Sequence, residues 1–492
     1  MFIFVALYHT YQMAEQSLKD KTAKGLFWGG VSNGVQQLLG MLFGIYLARI
    51  LNAEDYGLVG MLAIFSGIAG TIINSGFSAA LVNKQDATHK DYNAVFWFSA
   101  VVSVSLYILL FFTAPLIASF YHRPELVGLS RVLFATFLFS GTAVVPHTLL
   151  FKQLQVRTQA KFDIFALFLS GVCGVTLASF GFAYWALAIQ STVYIASGSL
   201  LKWTAVSWRP TFDFSFAPLK AMFSFSVKLF LTNLFQQVNG NVFSVLLGRL
   251  YNATSLGYFS QGNKWMSMGN SILSGMINSV AQPVLVEVNE DPDRQRNVFR
   301  KMVRFAAFVS FPGMLGLAFV AEEFIRVTIG DKWLESVPLL RLLCVQGAIA
   351  PIVLLYTQVL ISQGKSDRFL YANVFHGLLQ LAVLALTASY GLLSMVKAYV
   401  GVYLFMLFVW HTLVYRLIRV RLVELASDVL PYLLVTLAVF TGVYFLLVRM
   451  ENIYLLLLLK ITLSALFYAL TLWRLRSVVF KESVDMLVRR RG

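Results

Sequence analysis

QQLLGMLFGIYLARILNAEDYG, at residues 36–57, returns 200 positions later as QQVNGNVFSVLLGRLYNATSLG, at residues 236–257. Aligned without a gap, about nine of the 22 positions are identical: Gln36/Gln236, Gln37/Gln237, Gly40/Gly240, Phe43/Phe243, Leu47/Leu247, Arg49/Arg249, Asn52/Asn252, Ala53/Ala253 and Gly57/Gly257. Unrelated apolar helices match at Leu and Ala by chance, but seldom at paired Gln, Arg, Asn and Gly. Repeated halves are a common plan of membrane transporters.

The rest of the chain supports that class. Of its 492 residues 58% are hydrophobic and 13% charged, where a soluble globular chain carries roughly 25% charged residues. About 20 apolar residues cross the hydrocarbon core as a helix. About fourteen such stretches are predicted, at 25–48, 58–82, 94–118, 126–150, 162–180, 182–205, 222–248, 256–285, 302–325, 337–361, 368–388, 391–415, 427–448 and 452–473. They are long and continuous, without the period-two alternation of a membrane barrel strand. The fold class expected is an all-α integral membrane protein.

The net charge of +16 raises the question of nucleic acid. About 28 of the 39 Lys and Arg residues fall in the N-terminal flank, every second loop and the C-terminal tail, whereas the opposite loops hold about six: Arg49, Arg123, Arg249, Arg326, Lys332 and Arg449. This is the positive-inside bias. It predicts both termini on the cytoplasmic side of the membrane and assigns the basic charge to topology, not to nucleic-acid binding. The opening stretch has no basic flank before its apolar run and no small-residue cleavage site. Met13 begins a more plausible start than Met1.

The repeat is displaced by six predicted helices, an even number, so both copies run the same way through the membrane. Parallel repeats imply two six-helix bundles with a path between them. The expected organisation is a cytoplasmic segment at 1–24, bundles at 25–210 and 211–421, an additional helix pair at 422–475 and a basic tail at 476–492.

Residues 25–86, GLFWGGVSNGVQQLLGMLFGIYLARILNAEDYGLVGMLAIFSGIAGTIINSGFSAALVNKQD, carry a resemblance. The opening GLFW, the LARIL and EDYGLVG segments and GFSAALV resemble bacterial polysaccharide repeat-unit exporters, the Wzx-like flippases. These belong to the multidrug, oligosaccharidyl-lipid and polysaccharide exporter superfamily. The resemblance implies a flippase that carries an undecaprenyl-diphosphate-linked oligosaccharide between leaflets, with polysaccharide polymerase and assembly proteins as candidate partners. No cofactor is expected, and a proton gradient, a sodium gradient and the membrane potential are the alternative driving forces.

The physical task sets which residues matter. Sugars and a diphosphate cannot cross hydrocarbon unaided, because desolvating them costs many kcal/mol. A polar, partly cationic lining lowers that cost. Asn33, Gln36 and Gln37 stand three and four apart on one helical face, and Asn233, Gln236 and Gln237 repeat the spacing. Gln261, Asn263, Lys264 and Asn270 follow in the eighth helix. Amides can both donate to and accept from sugar hydroxyls, and Lys264 adds positive charge. The competing reading has the amides bridging helices and Lys264 reaching to the interface. Arg49, Arg249 and Arg341 are candidate diphosphate contacts, or anchors at helix ends. His147 and His376 could relay protons, though packing is the commoner use of such a residue; Lys397 and Lys460 are ambiguous. Cys173 and Cys344 read as inert core thiols. The run at 287–301 reads as a solvated loop. The run YRLIRVRLVEL at 415–425 reads as an amphipathic helix on the membrane surface.

No GxxxxGK[ST] phosphate loop occurs, which argues against ATP hydrolysis. A cation-coupled drug exporter of the same superfamily should carry acidic residues within its helices, and the predicted spans have almost none. A membrane polymerase or ligase should present a large external loop, and the loops on the sparsely basic side are short. An exporter that is not an enzyme is the reading the residues favour.

Overall fold

The computed structural model describes residues 28–74, 76–212 and 215–489. The expected segment 1–24, the start at Met13 and the last three residues of the tail lie outside the described residues. Every regular element among those described is helical, and ten are long and apolar enough to cross a membrane. The chain packs as two compact units, residues 1–241 and 242–492.

Unit 1 contains α1 (28–50), α2 (Ala53–Asn74), α3 (Phe77–Asn83), α4 (His89–Tyr121), α5 (Leu126–Phe134), α6 (Thr136–Lys152), α7 (Val156–Ser179), α8 (Tyr184–Ala205) and the greater part of α9 (Ala217–Leu250). The predicted 58–82 span is broken between α2 and α3 at Gly76, whose φ is 72°. A Cβ there would also fall 2.6 Å from the Ser226 carbonyl oxygen of α9. Left-handed backbone and close approach together demand glycine. The start of α4 is fixed by Asp91, which accepts from the Thr88 backbone N–H at 2.8 Å and pairs with Lys84 at 2.7 Å. Against α7, Gly171 admits the Phe43 ring of α1; a Cβ would come within 2.3 Å of it.

Unit 2 continues with α10 (Ala253–Glu287), α11 (Pro292–Ser310), a wide i→i+5 turn (Phe311–Leu315), α12 (Gly316–Phe319), α13 (Ala321–Thr328), α14 (Ser336–Ser362), α15 (Ser366–Thr387), α16 (Leu392–Ile418), α17 (Leu422–Leu447), α18 (Ile453–Arg474) and α19 (Val478–Arg489). Its core is built around α14, which packs against α10, α11 and α16. Small residues allow the approach: a Cβ on Gly262 would lie 3.2 Å from the Leu340 backbone nitrogen, and one on Gly347 2.5 Å from Met314 Cε.

Paired positions of the sequence repeat have the same local structure. α1 ends at residue 50 and α2 starts at Ala53; α9 ends at Leu250 and α10 starts at Ala253. Leu47 and Leu247 are buried, as are Ala53 and Ala253, while Arg49 and Arg249 are exposed. The turn is closed differently in each. The Asn52 backbone N–H donates to Asp55 Oδ2 at 2.9 Å, whereas Asn252 Oδ1 accepts from the Ser255 N–H at 2.8 Å.

Two sequence expectations are corrected. Residues 292–301 are not loop but the first turns of α11. Asp291 Oδ1 accepts from the backbone N–H groups of Asp293 and Arg294, both at 3.0 Å, and Pro292 occupies the first helical position, a strong start signal. Residues 415–425 are not one surface helix. Arg419 adopts a left-handed φ of 52° and ends α16, and α17 begins at Leu422. Cys344 is buried as expected, whereas Cys173 is only half-buried.

The last long helices are fastened to unit 2 by charge. Arg300 Nε and Nη2 hold the Asp428 carboxylate of α17 at 2.7 and 3.2 Å, Arg304 approaches it at 3.5 Å, and Arg296 and Arg300 share Glu424. Further along, Lys460 of α18 donates to Glu323 Oε1 of α13 at 2.6 Å, and its ammonium lies 4.6 Å from the centre of the Phe319 ring.

Candidate functional site

Polar groups within apolar helices face protein or a wet cavity, because lipid leaves them unsatisfied. The four predicted spans missing from the ten apolar ones are α1, α8, α9 and α10. Three of these, α1, α9 and α10, carry the candidate amides and Lys264. Their low apolarity has a local cause: each interrupts its apolar residues with amides, serines or a lysine.

In unit 1, Gln36 Nε2 donates to Ser32 Oγ one turn earlier, at 2.8 Å. Asn33 beside it is exposed and Gln37 half-buried. A Cβ on Gly34 or Gly40 would meet nothing within 4 Å, so this face of α1 is open. On α9, Asn233 and Gln236 are exposed. Gln237 instead lies across α2: a Cβ on Gly67 would fall 1.7 Å from its Nε2. Of the six candidate amides on α1 and α9, Gln237 is thus the one that a glycine of a neighbouring helix makes room for.

In unit 2, α10 turns Gly262, Met266 and Gly269 towards α14 and the wide turn, as the contacts of Gly262 with Leu340, Gly269 with Met314 and Met266 with Gly347 require. At 3.6 residues per turn, Ser260, Lys264, Ser267, Ser271 and Ser274 line the opposite side at spacings of four and three. Ser267 and Ser271 are exposed; Ser260, Lys264 and Ser274 are half-buried. The serines of this stripe escape a search for amides and charges, but their heptad spacing is present in the sequence. Lys264 has no carboxylate partner among the described residues. Gln261 stands apart from the stripe, 1% exposed, with neither amide atom hydrogen-bonded.

The acidic residues that lie in helices are placed differently. Asp163, within the predicted 162–180 span, pairs with Lys202 at 3.3 Å. Glu323 pairs with Lys460, and Asp428 with Arg300 and Arg304. Sequence reading passed over Asp163 and Asp428, and the pairing of Lys460 resolves its ambiguity: it is a buried structural cation. Arg341 sits in an exposed chain of ion pairs, with Glu322 at 3.6 Å, and Glu322 in turn meets Arg326 at 3.1 Å. Arg49 and Arg249 are exposed at the ends of α1 and α9. His376 lies beside Tyr403, ring centres 6.2 Å apart. His147 is exposed, and its carbonyl accepts from Gln159 Nε2 at 3.3 Å. Among the described residues no three His, Cys, Asp or Glu side chains gather as a metal site.

Known proteins share both sequence and architecture with this chain. It is 27% identical to the teichuronic acid biosynthesis protein TuaB of Bacillus subtilis (strain 168), over 76% of this chain and 77% of that protein. It is 23% identical to the lipopolysaccharide biosynthesis protein WzxC of Escherichia coli (strain K12), over 73% of each. In three dimensions it superposes on the lipid II flippase MurJ, in an inward closed conformation, with a TM-score of 0.72 at 14% identity, covering 91% of this chain and 99% of that one. An inward-facing multidrug resistance MATE transporter of the MOP superfamily gives 0.63 at 14% identity, over 78% and 95% of the two chains. The chain therefore shares the fold of these two proteins. With residues 46–338 matching the family described as polysaccharide biosynthesis protein, the chain belongs to that family.

Proposed function

We propose that this protein is a flippase that moves a polyprenyl-diphosphate-linked oligosaccharide repeat unit across the bacterial inner membrane, by alternating access, for lipopolysaccharide or exopolysaccharide synthesis. The observation that carries the proposal is the α10 stripe. A lysine without a carboxylate partner among the described residues stands in a row of serines on a membrane helix, while Asp163, Glu323 and Asp428 each have a basic partner. A lining of this kind favours an anionic, hydroxyl-rich headgroup: Lys264 serves the diphosphate as a point charge, and the serines of the same stripe serve the sugars. It disfavours a cationic drug, which needs an uncompensated carboxylate.

In this reading the fourteen predicted helices all cross the membrane, those with polar faces included. They form two parallel six-helix repeats and a C-terminal pair, with both termini cytoplasmic. The like closures at 50–53 and 250–253 support the repeat. The carrier is undecaprenyl diphosphate, the lipid tail stays in the bilayer, and a proton or sodium gradient sets direction. Polymerase and assembly proteins receive the product. The relatives named for teichuronic acid and lipopolysaccharide biosynthesis, and the lipid II flippase of like fold, support this substrate class.

The test is leaflet exchange of an undecaprenyl-diphosphate oligosaccharide in liposomes holding the purified protein, with and without an imposed proton or sodium gradient. Protein-dependent exchange is expected. Absence of exchange, together with gradient-driven uptake of a small cationic drug, would replace the proposal with the drug-exporter reading.

A further inference from the structure

Unit 2 contains a cleft of about 410 Å³ between the wide turn (Phe311–Leu315), α14, α16 and α17. Its wall is carbon almost throughout, including Phe311, Ile352, Leu407, Leu425 and Val429. The wall's polar groups, Tyr356 and His411, satisfy one another, with the Tyr356 hydroxyl 3.2 Å from His411 Nδ1. A charged or sugar-bearing group would find no partner inside, so the cleft suits hydrocarbon. It opens sideways, since Phe408, Leu422 and Leu430 of its lining are 58%, 53% and 46% exposed.

The turn joining α16 to α17 lies at one end of this cleft, because Leu422 and Leu425 line it and Arg421 immediately precedes them. In that turn Ile418 and Val420 are buried at 1% and 0% exposure, while Arg416, Arg419 and Arg421 are exposed. The buried pair pins the backbone and turns Arg419 and Arg421 outward, with Arg419 held in a left-handed conformation, φ 52°, that a side-chain-bearing residue rarely adopts. Glu424 and Asp428, the nearest acids on α17, are taken up by Arg296, Arg300 and Arg304. Among the described residues the side chains of Arg416, Arg419 and Arg421 form no ion pair. His411 precedes Arg416 by five residues, on the order of 7–8 Å along the helix, so the dry cleft begins just below a triply basic rim.

We propose that this cleft and rim bind an anionic phospholipid, one acyl chain lying between α16 and α17 and its phosphate held by Arg416, Arg419 and Arg421. The polyprenyl carrier shares this chemistry. The bilayer onto which the cleft opens holds phospholipid in large excess, and mass action gives it the site. The bound lipid fills the seam between α17 and the rest of unit 2, so it stabilises the docking of the last helices. This holds whatever the protein transports.

The test is native mass spectrometry of the full-length protein in detergent, titrated with phosphatidylglycerol, phosphatidylcholine or undecaprenyl phosphate, with thermal unfolding read in parallel. Phosphatidylglycerol is expected to bind and raise the unfolding temperature, and phosphatidylcholine to do neither. Replacing the three arginines together (R416Q, R419Q and R421Q) is expected to weaken phosphatidylglycerol binding by about a hundredfold, on the usual contribution of each basic side chain to anionic lipid binding. Ala426→Phe, which fills the cleft and leaves the rim intact, is expected to abolish the stabilisation as well. Unchanged phosphatidylglycerol binding in both variants would overturn the proposal, as would displacement of phosphatidylglycerol by equimolar undecaprenyl phosphate, which would assign the site to the carrier.

Discussion

Lys264 and Lys460 are one residue type in one membrane, with opposite surroundings. Lys460 has Glu323 at 2.6 Å and an aromatic ring beneath it, whereas Lys264 lies among serines. Lys264→Ala is expected to lower liposome exchange by about tenfold to a hundredfold, the worth of one or two charge-assisted hydrogen bonds, with yield and unfolding temperature unchanged. Lys264→Arg should retain part of the rate. Lys460→Ala acts on the fold, since it strands the Glu323 carboxylate in a buried site at a cost of about 3–5 kcal/mol. A lower unfolding temperature is expected, with recovery in the double variant Lys460→Met with Glu323→Leu. Recovery of neither yield nor stability in the double variant would show that the pair is needed for more than mutual neutralisation. The sequence shows both lysines equally; which one has a partner depends on α13, 137 positions away, and no local pattern encodes that.

At the scale of the element, what was legible is what local chemistry encodes. Among the described residues the predicted stretches fall on helix, and ten of the helices are long and apolar enough to cross a membrane, because hydrophobic length identifies such segments. What was missed is where the chain bends within a stretch. The break at Gly76 depends on Ser226 of a distant helix, and the wide turn at Phe311–Leu315 on a Pro312 that composition alone does not single out. The start of α11 was legible in Asp291-Pro292 but was outweighed by the charge that follows. That charge is the clamp on α17. Arg300→Met is expected to cost about 2 kcal/mol, less than a complete loss because Arg304 remains 3.5 Å from Asp428. Hydrogen exchange should report it as faster opening of the first turns of α17, with α14 unchanged.

For the whole molecule, the family match spans 46–338, so α17 and α18 lie beyond it, and the ion pairs show how they belong to unit 2. Arg300 and Glu323 both sit in helices that precede them and both take their partners from them. Ending the chain after residue 421 would leave both charges without those partners, and such a truncation is expected to accumulate poorly in membranes. Ending it after residue 475 preserves every one of these pairs and should accumulate nearly as the full chain does, with immunoblots of membrane fractions making the comparison. The candidate site was legible as residue types, amides and a lysine at helical spacings. The spacing of its serines was there to be read but their side of α10 was not, and neither was the seat of Gln237 on Gly67, because a small polar residue or a glycine acquires meaning only from what stands opposite.

The Glu323–Lys460 pair also has a consequence in time. At roughly 5–20 residues per second, the ribosome adds the 137 residues between them in roughly 7–27 s, and throughout that interval Glu323 has emerged and Lys460 has not. The nascent chain must keep this carboxylate hydrated or chaperoned until α18 arrives. The last membrane helix to be synthesised thus closes a contact opened much earlier, and a chain stalled in between carries a mark by which cellular quality control could recognise it as unfinished.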